Sequence, residues 1–401
     1  MLPIHDIIAS SRTKDMYLSV RKKGTVSKQK LLEESGLTVS TLTRILDELL
    51  ARGLLLEVGY GESTGGRRPT LYETNPAYGY VFGLEISRTH SRLVLADLHL
   101  TLLDEYTWSM DEHATPEFLM ESVHFEMLRM LERASIDISR VIGLGIGAVG
   151  PLDRREGTIL NPAGFAAPGW SQVRIKERLE QLLDVPVCLD NGANTALLGE
   201  YWAGGDRRQH QLLYLHAGIG LRSAIMNEGR ILYGVTDTEG AVGQMIIESS
   251  GVPSSVPGGN YGAWESYVSI RTLEMQAREA WKRGSATLLR GLAERPEDIE
   301  FTHLIEALKA GDSAVSGIFA QAAAYCGIGL ANLINILHPE EVILGGALFS
   351  SADVFYQEAT RTALEKTYYR EQYKVRFTKG SLSDHAVAAG AAALILNLLT
   401  G

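Results

Sequence analysis

The sequence predicts an α/β protein with an N-terminal winged helix-turn-helix in front of a body built as two α/β halves. Three observations carry this. Residues 25–75 hold two short helical segments, then two β-rich runs around a glycine-rich loop that bears paired arginines. From Tyr78 onward apolar, β-rich runs ending in glycine alternate with helical stretches, and the cycle occurs twice. The chain has 401 residues, 45% hydrophobic and 21% charged, an ordinary globular composition with room for two or three domains. The expected division is 1–76 for the head, 77–190 for the first half and 191–401 for the second, with Asn75-Pro76 as the clearest break.

In the head, Ser27 to Ser35 reads as a short helix with apolar Leu31 and Leu32, and Gly36-Leu37 as a tight turn. Thr38 supplies an N-cap oxygen for a second helix, Val39 to Arg52, whose Leu42, Ile45, Leu46, Leu49 and Leu50 fall at helical spacing. Ser40, Thr41, Thr43 and Arg44 lie near its start, the end that a recognition helix inserts into the major groove. Residues 54–58 and 70–74 read as hairpin strands. The tip between them carries Arg67 and Arg68, suited to a minor groove where negative potential is concentrated. Lys28 and Lys30 are candidate phosphate contacts. The competing reading of this region is a helical hairpin that binds another protein.

The body begins with strands over 79–86, 92–97 and 101–108, an amphipathic helix over 115–134, a glycine-punctuated strand at 141–147 and another strand at 185–189. A helix then runs from Ala193 to Ala203. The second cycle has strands within 212–226 and at 230–232, helices through much of 263–335, a buried strand over 341–346 and a C-terminal helix from Ala386 to Leu399. Glycines at strand ends place backbone N–H groups where they can cradle phosphate, or they permit tight turns and close packing.

Charge is unevenly distributed. The net charge is −10, but residues 1–75 balance at +2 and the remainder at −12, which fits nucleic-acid contact confined to the head. Cys188 and Cys326, each in an apolar stretch, read as reduced core residues with no disulfide framework. The N-terminus lacks a signal-peptide core and no run reads as long and apolar enough to span a bilayer, so a cytoplasmic protein with no membrane partner is expected.

Several colinear segments together resemble the ROK family of the actin/hexokinase-like superfamily, over essentially the whole chain. They are GGRRP at 65–69, GIGAVGPLD at 145–153, DNGANTALLGE at 190–200, AGIGLRSAIMNEGRILYG at 217–234 and LANLINILHPEEVILGG at 330–346. The winged head points to the family's repressor branch. The resemblance implies an actin/hexokinase-like body with a central cleft, and its members include ATP-dependent sugar kinases.

The kinase chemistry implied by the family is incomplete in this sequence. The family's general base is the Asp of an Asn-Asp-Ala-Asn segment, and here the segment is Asn191-Gly192-Ala193-Asn194. Asp190 stands two residues before Gly192 and should project differently. The family's first phosphate loop, Asp-x-Gly-Gly-Thr, is Glu85-Ile86-Ser87-Arg88-Thr89. The family's structural zinc ligands, one His and three Cys, correspond to Gln244, Val256, Gly258 and Ala263, so neither a metal nor any other cofactor is expected. Trp264 and Tyr261 are expected to anchor that loop by packing.

Of the sugar-holding residues the resemblance implies, Asn191 and Glu265 survive, Gln244 replaces the His, and Gly147 and Asn161 stand where the family lines its cleft. Either this pocket takes an altered sugar-like effector, or it is vestigial and Asn191 and Glu265 only fix the cleft. The expected protein is a non-enzymatic regulator, a dimer presenting two heads to a pseudo-palindromic double-stranded operator. Its rivals are a sugar kinase with a regulatory head and a constitutive DNA-binding protein with a dead pocket.

Overall fold

The computed structural model describes residues 10–62, 68–204, 211–235, 239–254, 258–285 and 288–400. The chain forms two compact units, Met1–Arg207 with His385–Gly401, and Arg208–Asp384. This departs from the expected division at 190/191. The strand ending at Asn191 continues directly into a helix of the first unit, and the C-terminal helix returns to pack on both.

The first unit opens with α1 (Ser11–Lys23), β1 (Val26–Ser27), α2 (Lys28–Ser35) and α3 (Val39–Ala51), followed by β2 (Leu55–Tyr60) and β3 (Thr70–Thr74). The three strands form one antiparallel sheet in the order β1-β3-β2. Leu42, Ile45, Leu46 and Leu49 of α3 are buried as their spacing requires, while Leu50 is half-buried. Gly36 closes α2 in the left-handed conformation, where glycine carries no Cβ penalty. The sequence reading did not find α1. Its buried face is Thr13, Met16, Tyr17, Val20 and Arg21, too few apolar residues to make a periodic signal.

Next come β4 (Tyr80–Ile86), β5 (His90–Asp97), β6 (Leu102–Ser109), α4 (Pro116–Ala134), β7 (Val141–Ala148), the short pair β8 (Leu152–Asp153) and β9 (Thr158–Ile159), α5 (Ile175–Leu183), β10 (Val187–Asn191) and α6 (Gly192–Ala203). The second unit contributes β11 (Gln211–Ala217), β12 (Leu221–Asn227), β13 (Arg230–Ile231), α7 (Ile270–Arg283), α8 (Leu289–Leu292), α9 (Phe301–Lys309), α10 (Ser313–Leu337), β14 (Glu341–Gly345), α11 (Ala347–Ser351), α12 (Asp353–Lys366) and β15 (Arg376–Thr378). The chain ends in α13 (Ala386–Thr400), in the first unit.

The duplication is explicit in the sheets. Their orders are β10-β7-β4-β5-β6 and β15-β14-β11-β12-β13. In each, three antiparallel strands form a meander and two further strands add in parallel beside the first. The glycines of β7 are accounted for by α13. A Cβ at Gly143 would lie 2.8 Å from Ile395 Cγ1, one at Gly145 1.8 Å from the Ala391 carbonyl oxygen, and one at Gly147 2.7 Å from Val387 Cγ1. A period-two stripe on the strand therefore receives a period-four ridge of the helix, and α13 runs antiparallel to β7. Close packing, one of the two roles left open for these glycines, is the one the geometry displays.

Among the described residues one helix, α10, is long and apolar enough to cross a membrane, contrary to the expectation that no run would be. It is the core helix of the second unit, packed on α7 and α12, with Phe319, Cys326, Leu330 and Ile334 buried. Burial pushes the thiols of Cys188 and Cys326 far above their ordinary range, so both stay protonated.

Candidate functional site

The first candidate surface is the start of α3. Thr38 N-caps the helix, with Thr41 N–H donating to its Oγ1 at 3.3 Å and the Thr41 hydroxyl bonded to it at 2.9 Å. That cap satisfies an otherwise orphaned donor and orders the turn. Ser40 and Arg44 are exposed, while Thr41 and Thr43 are half-buried. Thr43 donates its hydroxyl back to the Val39 carbonyl at 2.7 Å, which leaves its lone pairs for a partner. Lys30 is exposed on α2 and Lys28 half-buried beside it. Arg68 is exposed at the foot of the β2–β3 loop, while Arg67 lies outside the described residues.

A second candidate set lies at the C-terminal ends of β7 and β10. Asp190 pairs with Gly147 and Asn191 with Ala148 in register, so Gly147 and Asn191 are brought together. Asn191 is buried and N-caps α6, accepting from Asn194 N–H at 2.8 Å. Asp190, 1% exposed, accepts from Asn191 N–H at 2.7 Å and from Asn194 Nδ2 at 2.9 Å. It is thus turned into the first turn of α6, as its offset from Gly192 suggested. Gly147 lies beneath α6 as well as α13, since a Cβ there would sit 2.4 Å from Thr195 Oγ1. Asn161 is exposed on the loop after β9 and accepts from the Ser171 hydroxyl. No hydrogen bond among the described residues ties it to Asn191. Thr195, which donates toward the Asn191 and Gly192 carbonyls, is the residue that sequence reasoning missed. Its only sequence signal is a hydroxyl four residues after Asn191, on the same helical face.

In the second unit, Gln244 and Glu265 come together because the 245–247 segment pairs with 262–264: Trp264 N–H donates to the Met245 carbonyl at 2.8 Å and Ile247 N–H to the Gly262 carbonyl at 3.0 Å. Glu265 Oε2 accepts from Leu221 N–H at 2.8 Å and so fixes the turn between β11 and β12. Gln244 Oε1 accepts from Asn260 N–H at 3.0 Å, and its carbonyl accepts from Asn260 Nδ2 at 2.9 Å. A neutral amide therefore clamps this loop at the position where the resemblance implies a metal-binding His. Trp264 is fully buried and donates its indole N–H to the Tyr325 carbonyl at 3.1 Å, as an anchor should. Tyr261 is 68% exposed and does not anchor the loop. Its ring follows Asn260, whose backbone is already held by Gln244.

The ROK family model matches residues 81–397. The chain belongs to the ROK family. Among curated relatives of this ROK chain are a xylose repressor from Caldicellulosiruptor bescii, 28% identical over 93% of this chain and 92% of that one, and the DNA-binding transcriptional dual regulator NagC of Escherichia coli K12, 23% identical over 97% and 93%. A solved ROK family transcriptional regulator, a homologue of the E. coli MLC protein, superposes with a TM-score of 0.78 at 21% identity, over 97% of this chain and 96% of that one. That likeness concerns the fold. The ROK hexokinase from Thermus thermophilus superposes with a TM-score of 0.66 at 26% identity, over 80% of this chain and all of the hexokinase. ROK relatives of this chain thus include a repressor, a dual transcriptional regulator and a hexokinase.

Proposed function

We propose that this ROK protein is a DNA-binding transcriptional regulator, a repressor of carbohydrate-related genes that senses a sugar-like effector and does not phosphorylate it. The observation that carries the reading is one chain joining short helices and a β-hairpin, the α3 start capped and exposed, to a ROK body with Gly192 at the family's base position. The xylose repressor and the dual regulator NagC are similar to nearly the whole chain and support the same reading. In this proposal 1–76 is the winged helix-turn-helix domain. Ser40, Thr41, Thr43 and Arg44 meet the major groove, Arg67 and Arg68 the minor groove, and Lys28 and Lys30 the phosphates. Gly147, Asn161, Asn191, Gln244 and Glu265 belong to effector sensing, and two copies bind one operator as a dimer.

The test is enrichment of genomic fragments on the immobilised protein, followed by titration of the enriched fragment. Arg44→Ala should weaken binding about tenfold or more, the scale of a lost base or phosphate contact, without changing the melting temperature. Purified protein given ATP, magnesium and a panel of sugars should release no ADP. Failure to enrich any fragment, or sugar-dependent ADP release, would overturn the proposal.

A further inference from the structure

Arg21, at the end of α1, is 5% exposed although it belongs to a helix whose other basic last-turn residues, Lys22 and Lys23, are exposed. Its Nη1 donates to Asn397 Oδ1 at 3.1 Å, 376 residues away in sequence, and its guanidinium lies 4.0 Å from the centre of the Trp202 ring. A charge taken out of water needs such partners, and a planar guanidinium can stack on an indole while hydrogen-bonding at its edge. Trp202 is in the last turn of α6 and Asn397 in the last turns of α13.

The opposite ends of those same two helices lie at the candidate ligand set. α6 begins at the Asn191 cap, beneath Asp190 and Asn194, and α13 begins with Val387 over Gly147 and Gly192. The helices are fused by glycine: a Cβ at Gly390 would fall 1.6 Å from the Thr195 carbonyl oxygen, and one at Gly199 2.6 Å from the Ala386 carbonyl oxygen. Packing this tight leaves neither helix free to shift alone. At about 1.5 Å per residue, the 12 residues of α6 span about 18 Å from the ligand end to Arg21.

We propose that Arg21 is the positioning residue that fixes the N-terminal head on the body and relays the state of the Asn191 end of α6 and α13 to it. The relay rests on the regulator reading above; the fixing does not. A ligand that prefers one placement of α6 and α13 changes the seat of Arg21 and hence the population of the DNA-competent head orientation. At the covalent connection, His99 Nε2 bonds the Thr74 carbonyl at 2.7 Å and Leu98 N–H donates to the Pro76 carbonyl at 3.2 Å. Arg21 adds a second hold from α1 beside them, lining one cavity with Thr74, His99 and Trp202.

The full-length chain tests this in two arms. In amide exchange without ligand, peptides covering α1 and α2 should exchange at least tenfold faster in Arg21→Gln and Asn397→Ala than in the parent, Arg21→Lys should fall between, and β4 and β7 should be unchanged. Unaltered α1 and α2 exchange in both variants would overturn the proposal, and so would loss of protection spread equally into β4 and β7. The second arm uses D-xylose and N-acetylglucosamine as probes, read by melting shift and by affinity for the enriched DNA fragment. Arg21→Gln should keep the parent's melting shift while the sugar's effect on DNA affinity falls from tenfold or more to under twofold. A full effect in Arg21→Gln would overturn the relay. If neither sugar moves the parent protein in either readout, the sugar-sensing reading fails, and the exchange arm alone decides whether Arg21 fixes the head.

Discussion

Two helices of the same unit, α3 and α6, open with the same device and put it to opposite uses. Each starts on a side-chain cap, Thr38 for α3 and Asn191 for α6, and each carries further polar residues in its first turn. At α3 the start faces outward: Ser40 in the first turn and Arg44 in the second are exposed, and their groups are available to a partner. At α6 the turn is internal. Asp190, Asn191, Asn194 and Thr195 are buried and bonded to one another, with α13 packed over them. A capped polar helix start is therefore not itself a binding site. Burial decides whether its polar groups serve a partner or the fold, and at α6 a ligand would have to compete with, or add to, an already satisfied network.

The packing over α6 is where the comparison is easiest to break. Gly390→Ala places a methyl group 1.6 Å from a backbone oxygen of α6, and no side-chain rotation relieves that. The expected loss is about 3 kcal/mol or more, which offsets the helix-propensity gain of alanine. The melting temperature should fall by about 6–12 °C, read by calorimetry. A fall of less than about 2 °C would mean that the two helices can part cheaply, and the buried turn would then be as accessible to a ligand as the exposed start of α3 is to a partner.

Removing the acceptors gives the next largest contrast. Asp190→Ala leaves the Asn194 amide and the Asn191 N–H without their partner in a buried place, at a cost of about 2–4 kcal/mol. Thr38→Ala removes a cap that water can replace, at about 1 kcal/mol. Urea unfolding of both variants measures the difference. Equal losses would contradict the assignment of one turn to the interior and the other to solvent.

Which of these helices is which was only partly legible in the sequence. The spacing of Leu42, Ile45, Leu46 and Leu49 is local, so α3 and its exposed polar start could be read directly, as could the strands, whose apolar runs are short and bounded by glycine. The packing of α13 was not. Ala386 to Leu396 carries small residues because β7 offers Gly143, Gly145 and Gly147, but the two halves of that match are about 240 residues apart and neither alone names the other. The same separation hid the return of α13 to the first unit and the seating of Arg21, whose partners are far downstream. Gln244 and Glu265 were legible as polar groups, but the backbone N–H groups of Asn260 and Leu221 that they hold depend on loop geometry.

The smallest expected effect concerns Gly192, at the exposed-versus-buried boundary of α6. A Cβ at this position meets nothing closer than Val387 Cγ1 at 3.8 Å and the Ala148 carbonyl oxygen at 3.9 Å. A side chain can therefore start at this position, and the absence of the Asp that the resemblance implies for a kinase is a chemical departure. Gly192→Asp should be tolerated and should stabilise by about 0.3–1 kcal/mol, because a carboxylate at a helix N-terminus faces the unpaired N–H groups. It should still release no ADP from ATP with any sugar. A base is one part of phosphoryl transfer, and the loop that would approach the phosphates carries Ser87 and Arg88, with Arg88 Nε held by the Ala163 carbonyl at 2.6 Å. ADP release from Gly192→Asp would show instead that the phosphate side of the machinery is intact, and that one side chain separates this chain from a kinase.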